Sequence, residues 1–160
     1  MLHIVRTSSD NPDFRQLVQL LDQDLQVRDG AEHTFYAQFN KVDAIRHAIV
    51  AYQGEEPVGC GAFKEFTEEL VEIKRMFVLP TRRGQGVAAA VLAELEGWAQ
   101  ELGYRGCVLE TGKKQPEAIR LYEKSGYQYI PNYGQYIGVE NSVCLQKDLG
   151  PSDAAGRMLI

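Results

Sequence analysis

The stretch "LVEIKRMFVLPTRRGQGVAAAVL", Leu70 to Leu92, constrains the fold more than any other part of the chain. An apolar, strand-like run ends at Pro80, two arginines and two glycines follow, and small residues then open a helical segment. The first turn of a helix leaves its amides without intrahelical acceptors, and the helix dipole adds partial positive charge there. Glycines let a ligand approach such amides closely. Gly84, Gln85, Gly86, Val87, Ala88 and Ala89 therefore read as a cradle for a diphosphate, with Arg82 and Arg83 adding local attraction. The same spacing fits a tight strand–helix turn whose arginines are solvated.

Around this loop, strand-like and helical patterns alternate. "LHIVRT" reads as a first strand, and "DFRQLVQLLDQDLQV" carries Phe14, Leu17, Leu20, Leu21 and Leu25 at helical spacing. "GAEHTFYAQFNKVD" reads as a loop with a short second helix. "HAIVAYQGEEPVGCGAFKEF" reads as two strands about a Gly/Glu/Pro turn, and "LVEIKRMFV" as another. A helix over Gly86 to Leu102 stops at Gly103, "CVLET" follows as a strand, and "QPEAIRLYEKSG" is a helix with Pro at its start and Gly126 at its end. "SVCLQKDL" supplies a last strand. The pattern predicts one α/β domain with a mixed sheet over residues 1–150, and a loose tail over 151–160.

Composition narrows the function. At 160 residues and a formal net charge of -5, a general surface for nucleic acid or anionic membrane is not expected. No apolar run is long enough to span a bilayer, and the amino end lacks a signal-like apolar core, so the chain reads as cytoplasmic. Cys60, Cys107 and Cys144 lie far apart in apolar segments and read as small core hydrophobes. His3, His33 and His47 form no ligand cluster, so no metal is expected.

Two phosphate-binding patterns compete for the glycine loop. A Walker A loop is excluded, because "GKK" at Gly112 to Lys114 lacks both the earlier Gly and the Ser/Thr. Gly84-x-Gly86-x-x-Ala89 does fit the dinucleotide fingerprint, with Glu110 near the distance of a ribose-binding acid. Against it, "LPTRR" separates the strand from the glycines, and the strand comes mid-chain after a hairpin-like pair.

Three pieces read together give a better match. Arg83-x-x-Gly86-x-Ala88, the preceding "EIKRMFV", and "AIRLYEKSGY" from Ala118 to Tyr127 agree in order and separation with the GNAT N-acetyltransferase family. The chain resembles that family from about Pro57 to Leu149, and departs at Gln115, where the family often has Asn. The resemblance implies a mixed, centrally splayed β-sheet flanked by helices, of the acyl-CoA N-acyltransferase type, with acetyl-CoA (CoA) as cofactor. It implies that the pantetheine arm pairs with Met76, Phe77 and Val78, and that the diphosphate rests on Arg83 and the Gly84 to Ala89 loop. Gln115 and Tyr122 complete the implied cofactor contacts, and Lys113 and Lys114 could meet an outer phosphate. Tyr122 falls on the family's general-acid tyrosine, while Glu72 and Glu110 fall on positions where relatives carry a catalytic glutamate.

The chemistry requires both roles. An alkyl ammonium with a pKa near ~10.4 presents a free lone pair in only about one molecule in 2,500 at pH 7, a deficit of about 4.6 kcal/mol. A base must take the proton, and the leaving thiolate needs an acid. Holding amine and thioester together removes the need for a covalent enzyme intermediate. The acceptor reads as a primary amine of a small molecule, with Tyr36, Tyr133 and Tyr136 as walls and Lys64 and Arg75 for a carboxylate. The alternatives are a protein or peptide acceptor, a non-catalytic acyl-CoA-binding module, and a dinucleotide-dependent oxidoreductase. Family analogy alone allows a homodimer.

Overall fold

The computed structural model describes residues 1–30 and 44–150. Among them the chain runs β1 (Leu2–Thr7), α1 (Pro12–Asp29), β2 (His47–Gln53), β3 (Glu56–Glu65), β4 (Leu70–Val78), α2 (Val87–Glu101), β5 (Gly106–Gly112), α3 (Pro116–Lys124), β6 (Gln128–Ile130) and β7 (Ser142–Asp148). The seven strands form a mixed sheet in the order β1-β2-β3-β4-β5-β7-β6, flanked by the three helices. The mixed α/β expectation therefore holds. The helix expected near residue 36 and the tail over 151–160 lie outside the described residues.

Two compact units divide the chain, Met1–Phe63 with Lys74–Leu92, and Lys64–Ile73 with Ala93–Ile160. In the first, β1, β2 and β3 form an antiparallel meander. Helix α1 starts where Asn11 caps it, its side-chain oxygen accepting from the Asp13 and Phe14 amides at 2.8 and 3.1 Å. Pro12 sits in the first turn, where its missing N–H costs nothing. Phe14, Leu17, Val18 and Leu21 recur at helical spacing and pack into a core with Ala48, Val50, Cys60, Ala62 and Phe77. Each such buried large side chain contributes roughly 1.5–3 kcal/mol.

In the second unit, β5 pairs in parallel with β4 from Leu70↔Gly106 to Glu72↔Val108, and antiparallel with β7 along its whole length. Glu72 stands at the end of that parallel ladder, and Glu110 follows two residues after Val108. Gly103 and Gly126, predicted as helix stops, both adopt left-handed φ of 95° and 94°. The short β6, which pairs with β7, is too brief and polar for its sequence to announce it.

Close approach sets where α2 begins. A Cβ on Gly59 of β3 would stand 2.8 Å from Val87 Cγ1 and 3.3 Å from the Phe77 carbonyl oxygen. Val87 is buried, so it has little room to yield. Gly59→Ala is expected to lower unfolding stability by about 1–3 kcal/mol, as overpacked sites do, measured by urea denaturation. A neutral substitution would mean that β3 and the start of α2 are less tightly apposed.

Candidate active site

The glycine loop belongs to the first unit. After β4 the chain makes a short 3-10 turn over Pro80–Arg82, then reaches Gly84 and Gly86 with φ of 78° and 84°. A Cβ at either glycine would meet nothing within 4 Å, so the backbone angle, not space, demands glycine there. The Ala90 amide donates to the Gly86 carbonyl at 3.0 Å, and the amides of Val87 to Ala89 precede any intrahelical acceptor. Gly84, Gln85 and Gly86 are exposed. An open turn whose amides face no helical carbonyl fits a diphosphate.

The arginines are already engaged. Arg82 pairs with Glu56. Arg83 Nε donates to the Val78 carbonyl at 3.0 Å, its guanidinium lies 5.6 Å from the Phe77 ring centroid, and one terminal nitrogen is 3.9 Å from Asp24. Of the β4 residues expected to contact a pantetheine arm, Phe77 and Val78 are buried and Met76 is half-buried.

Arg75 lies in the same unit, in an unusual place. Its φ is 62°, the one positive value for a non-glycine among the described residues, and its side chain is buried with Nη1 3.7 Å from Asp22 of α1. Its carbonyl oxygen accepts from the Cys60 thiol at 3.3 Å. Lys64 belongs to the second unit and is exposed at the end of β3. Tyr36 lies outside the described residues.

The second unit gathers the remaining polar candidates. Glu72 is buried, and the Tyr133 hydroxyl donates to its Oε2 at 2.7 Å. Tyr133 packs edge-on against Tyr136 at 5.9 Å and tilted against Phe66 at 4.7 Å. Burial raises the Tyr136 phenol above the ordinary tyrosine range, and the Glu110 and Glu72 carboxylates raise it further, so both acids act on one ring. Burial, then Glu72, does the same to Tyr133. Tyr122, buried on α3, is raised by burial and then by Glu110. Each of these tyrosines is protonated at neutral pH, the form that can donate a hydrogen bond.

The site thus runs from Tyr122 through Glu110 and Tyr136 to Glu72 and Tyr133. Gln115 is half-buried at the N-cap of α3 and makes no side-chain cap bond there, while Lys113 and Lys114 are exposed. Sequence reasoning missed Phe66 and Asn132. The Asn132 amide donates to the carbonyls of Tyr136, Val139 and Ser142 at 3.1, 3.2 and 3.0 Å, and an Asn in a Pro-Asn-Tyr-Gly run signals only a turn.

Comparison with known proteins accords with this geometry. Residues 14–127 match the model of the acetyltransferase (GNAT) family, and the chain belongs to that family. An uncharacterized N-acetyltransferase of Bacillus subtilis, YsnE, is 38% identical over 101 residues, 62% of this chain and 67% of that protein. A solved Klebsiella pneumoniae structure, named for the acyl-CoA N-acyltransferases, superposes with a TM-score of 0.78 at 29% identity, covering 93% of this chain and 98% of that one. A Sinorhizobium meliloti phosphinothricin acetyltransferase, solved in complex with acetyl-CoA, shares the fold with a TM-score of 0.65 at 19% identity, covering 96% and 95%. The chain is an acyltransferase enzyme of this fold.

The cysteines stay outside this chemistry. Burial pushes the Cys60 and Cys107 thiols up to about 12, and burial also raises Cys144. At pH 8 roughly one Cys60 or Cys107 in 10,000 is then thiolate. Ellman's reagent is expected to label none of the three in the folded protein and all three in guanidinium. A rapid native phase would contradict their burial.

Proposed function

We propose that the chain moves an acetyl group from acetyl-CoA to the primary amine of a small molecule by direct attack in a ternary complex. The observation that carries this reading is the buried Glu72 carboxylate held at 2.7 Å by the Tyr133 hydroxyl, in a chain that also carries the open turn of Gly84 and Gly86 at the start of α2. Bound acetyl-CoA supplies an electrophilic thioester carbonyl and a thiolate leaving group.

The chain's own residues supply the rest. The amides of Gly84 to Ala89 hold the diphosphate, supported by Arg83, and the β4 backbone at Met76, Phe77 and Val78 holds the pantetheine arm. Gln115, at the N-cap of α3, adds a cofactor contact. Glu72 takes the ammonium proton of the acceptor, which offsets the free-amine deficit. Tyr122 holds its proton at Oη for the departing sulfur. Glu110 sits where its charge opposes ionisation of Tyr122, which keeps that proton in place. Tyr136 and Phe66 wall the approach to Glu72, and an acceptor of modest size suits those rings.

Two measurements test the reading. Acetyl-CoA and CoA, but not NAD, are expected to raise the thermal midpoint; at a hundredfold excess over Kd the gain is about 2.7 kcal/mol. Tyr122→Phe is expected to keep that shift while losing about 100-fold or more in turnover against a panel of primary amines. Full turnover by the pure variant would remove Tyr122 from the acid role. Turnover with a basic peptide and with no amine in the panel would replace the small-molecule acceptor.

A further inference from the structure

A base is only as useful as its orientation, and Glu72 cannot orient itself. It sits in a strand whose neighbours Val71 and Ile73 are also buried, so water does little to hold its carboxylate. The Tyr133 hydroxyl donates to its Oε2 at 2.7 Å and supplies a specific tether. That distance is in the range of a charge-assisted hydrogen bond.

Tyr133 is itself held from two sides. Its ring lies against Phe66 and Tyr136, which fixes the plane in which the hydroxyl can swing. Its backbone opens the 3-10 turn Gly134–Tyr136, where its carbonyl accepts from the Tyr136 amide at 2.9 Å. The preceding residue closes the loop on itself. One Asn132 amide nitrogen reaches three carbonyls, those of Tyr136, Val139 and Ser142, and so ties residues 132 to 142 to the start of β7. An amide with two hydrogens and three acceptors spends all of its donor capacity on this loop.

We propose that Tyr133 is the positioning residue of Glu72, and that Asn132 clamps the loop that delivers it. This gives Tyr133 a task other than walling an acceptor pocket, and it rests on Glu72 being the base. Burial first, then the charge of Glu72 and the hydrogen bond to it, oppose ionisation of the Tyr133 phenol, so the donor keeps its proton.

The test begins with a readout that needs no acceptor. In protein labelled with 13Cζ-tyrosine, the resonance absent from Tyr133→Phe belongs to Tyr133. Glu72→Gln is expected to move that resonance, since a neutral amide accepts a weaker hydrogen bond from the hydroxyl than a carboxylate does. Glu110→Gln, which leaves the Tyr133–Glu72 hydrogen bond in place, is expected to move it less. An unmoved resonance in Glu72→Gln would overturn the tether.

Turnover follows, with the most active member of a primary-amine panel as probe. Tyr133→Phe keeps the ring contacts and is expected to lose about 10-fold in kcat, with KM for acetyl-CoA unchanged. Asn132→Ala is expected to lose kcat in the same direction, and carries the test if Tyr133→Phe does not fold. A rise in the amine KM at unchanged kcat would return Tyr133 to the pocket wall and overturn the inference. Wild-type turnover by Glu72→Gln would sink the base assignment and the inference with it. An inactive Glu72→Gln beside a fully active Tyr133→Phe would sink the inference alone.

Discussion

A buried carboxylate must find hydrogen-bond donors or lose its charge, and that requirement organises the second unit of this protein. Glu72 is 7% exposed on a strand that also buries Val71 and Ile73. Burial raises the phenols of Tyr122, Tyr133 and Tyr136, and a carboxylate adds to each: Glu110 for Tyr122, Glu72 for Tyr133, and both for Tyr136. Tyr133 uses its proton directly, donating to Glu72 at 2.7 Å.

The glycine loop follows a different logic. Its chemistry lies in backbone amides at the start of α2, exposed because two left-handed glycines turn the chain there without side chains in the way. The arginines that draw the eye in the sequence also hold local structure: Arg82 pairs with Glu56, and Arg83 meets the Val78 carbonyl and the Phe77 ring.

Local features of the fold were legible because they are written in neighbouring residues. Pro116 and Gly126 mark the ends of α3, and α2 starts at Val87, one residue from the position that its small residues indicate. The three cysteines were readable as core because each sits in an apolar strand, and each is buried. What could not be read was set by contacts distant in the chain. Glu72 and Tyr133 are 61 positions apart, and no period or spacing links them. Along β4 Val71, Glu72 and Ile73 are all buried, so no two-residue alternation separates Glu72 from its apolar neighbours. Arg75, at the parity of Ile73 and Phe77, is buried as they are, on backbone of positive φ and with Nη1 3.7 Å from Asp22.

Asp24 on α1 carries a consequence for how an anion would be held. It takes a 3.1 Å contact from Arg28 and a 3.9 Å contact from Arg83, so the loop's positive charge is offset before any ligand arrives. Attraction at that turn then comes mainly from peptide dipoles at contact distance, which dissolved ions screen far less than they screen exposed charges. An anion docking at that turn would therefore lose affinity only slowly as ionic strength rises.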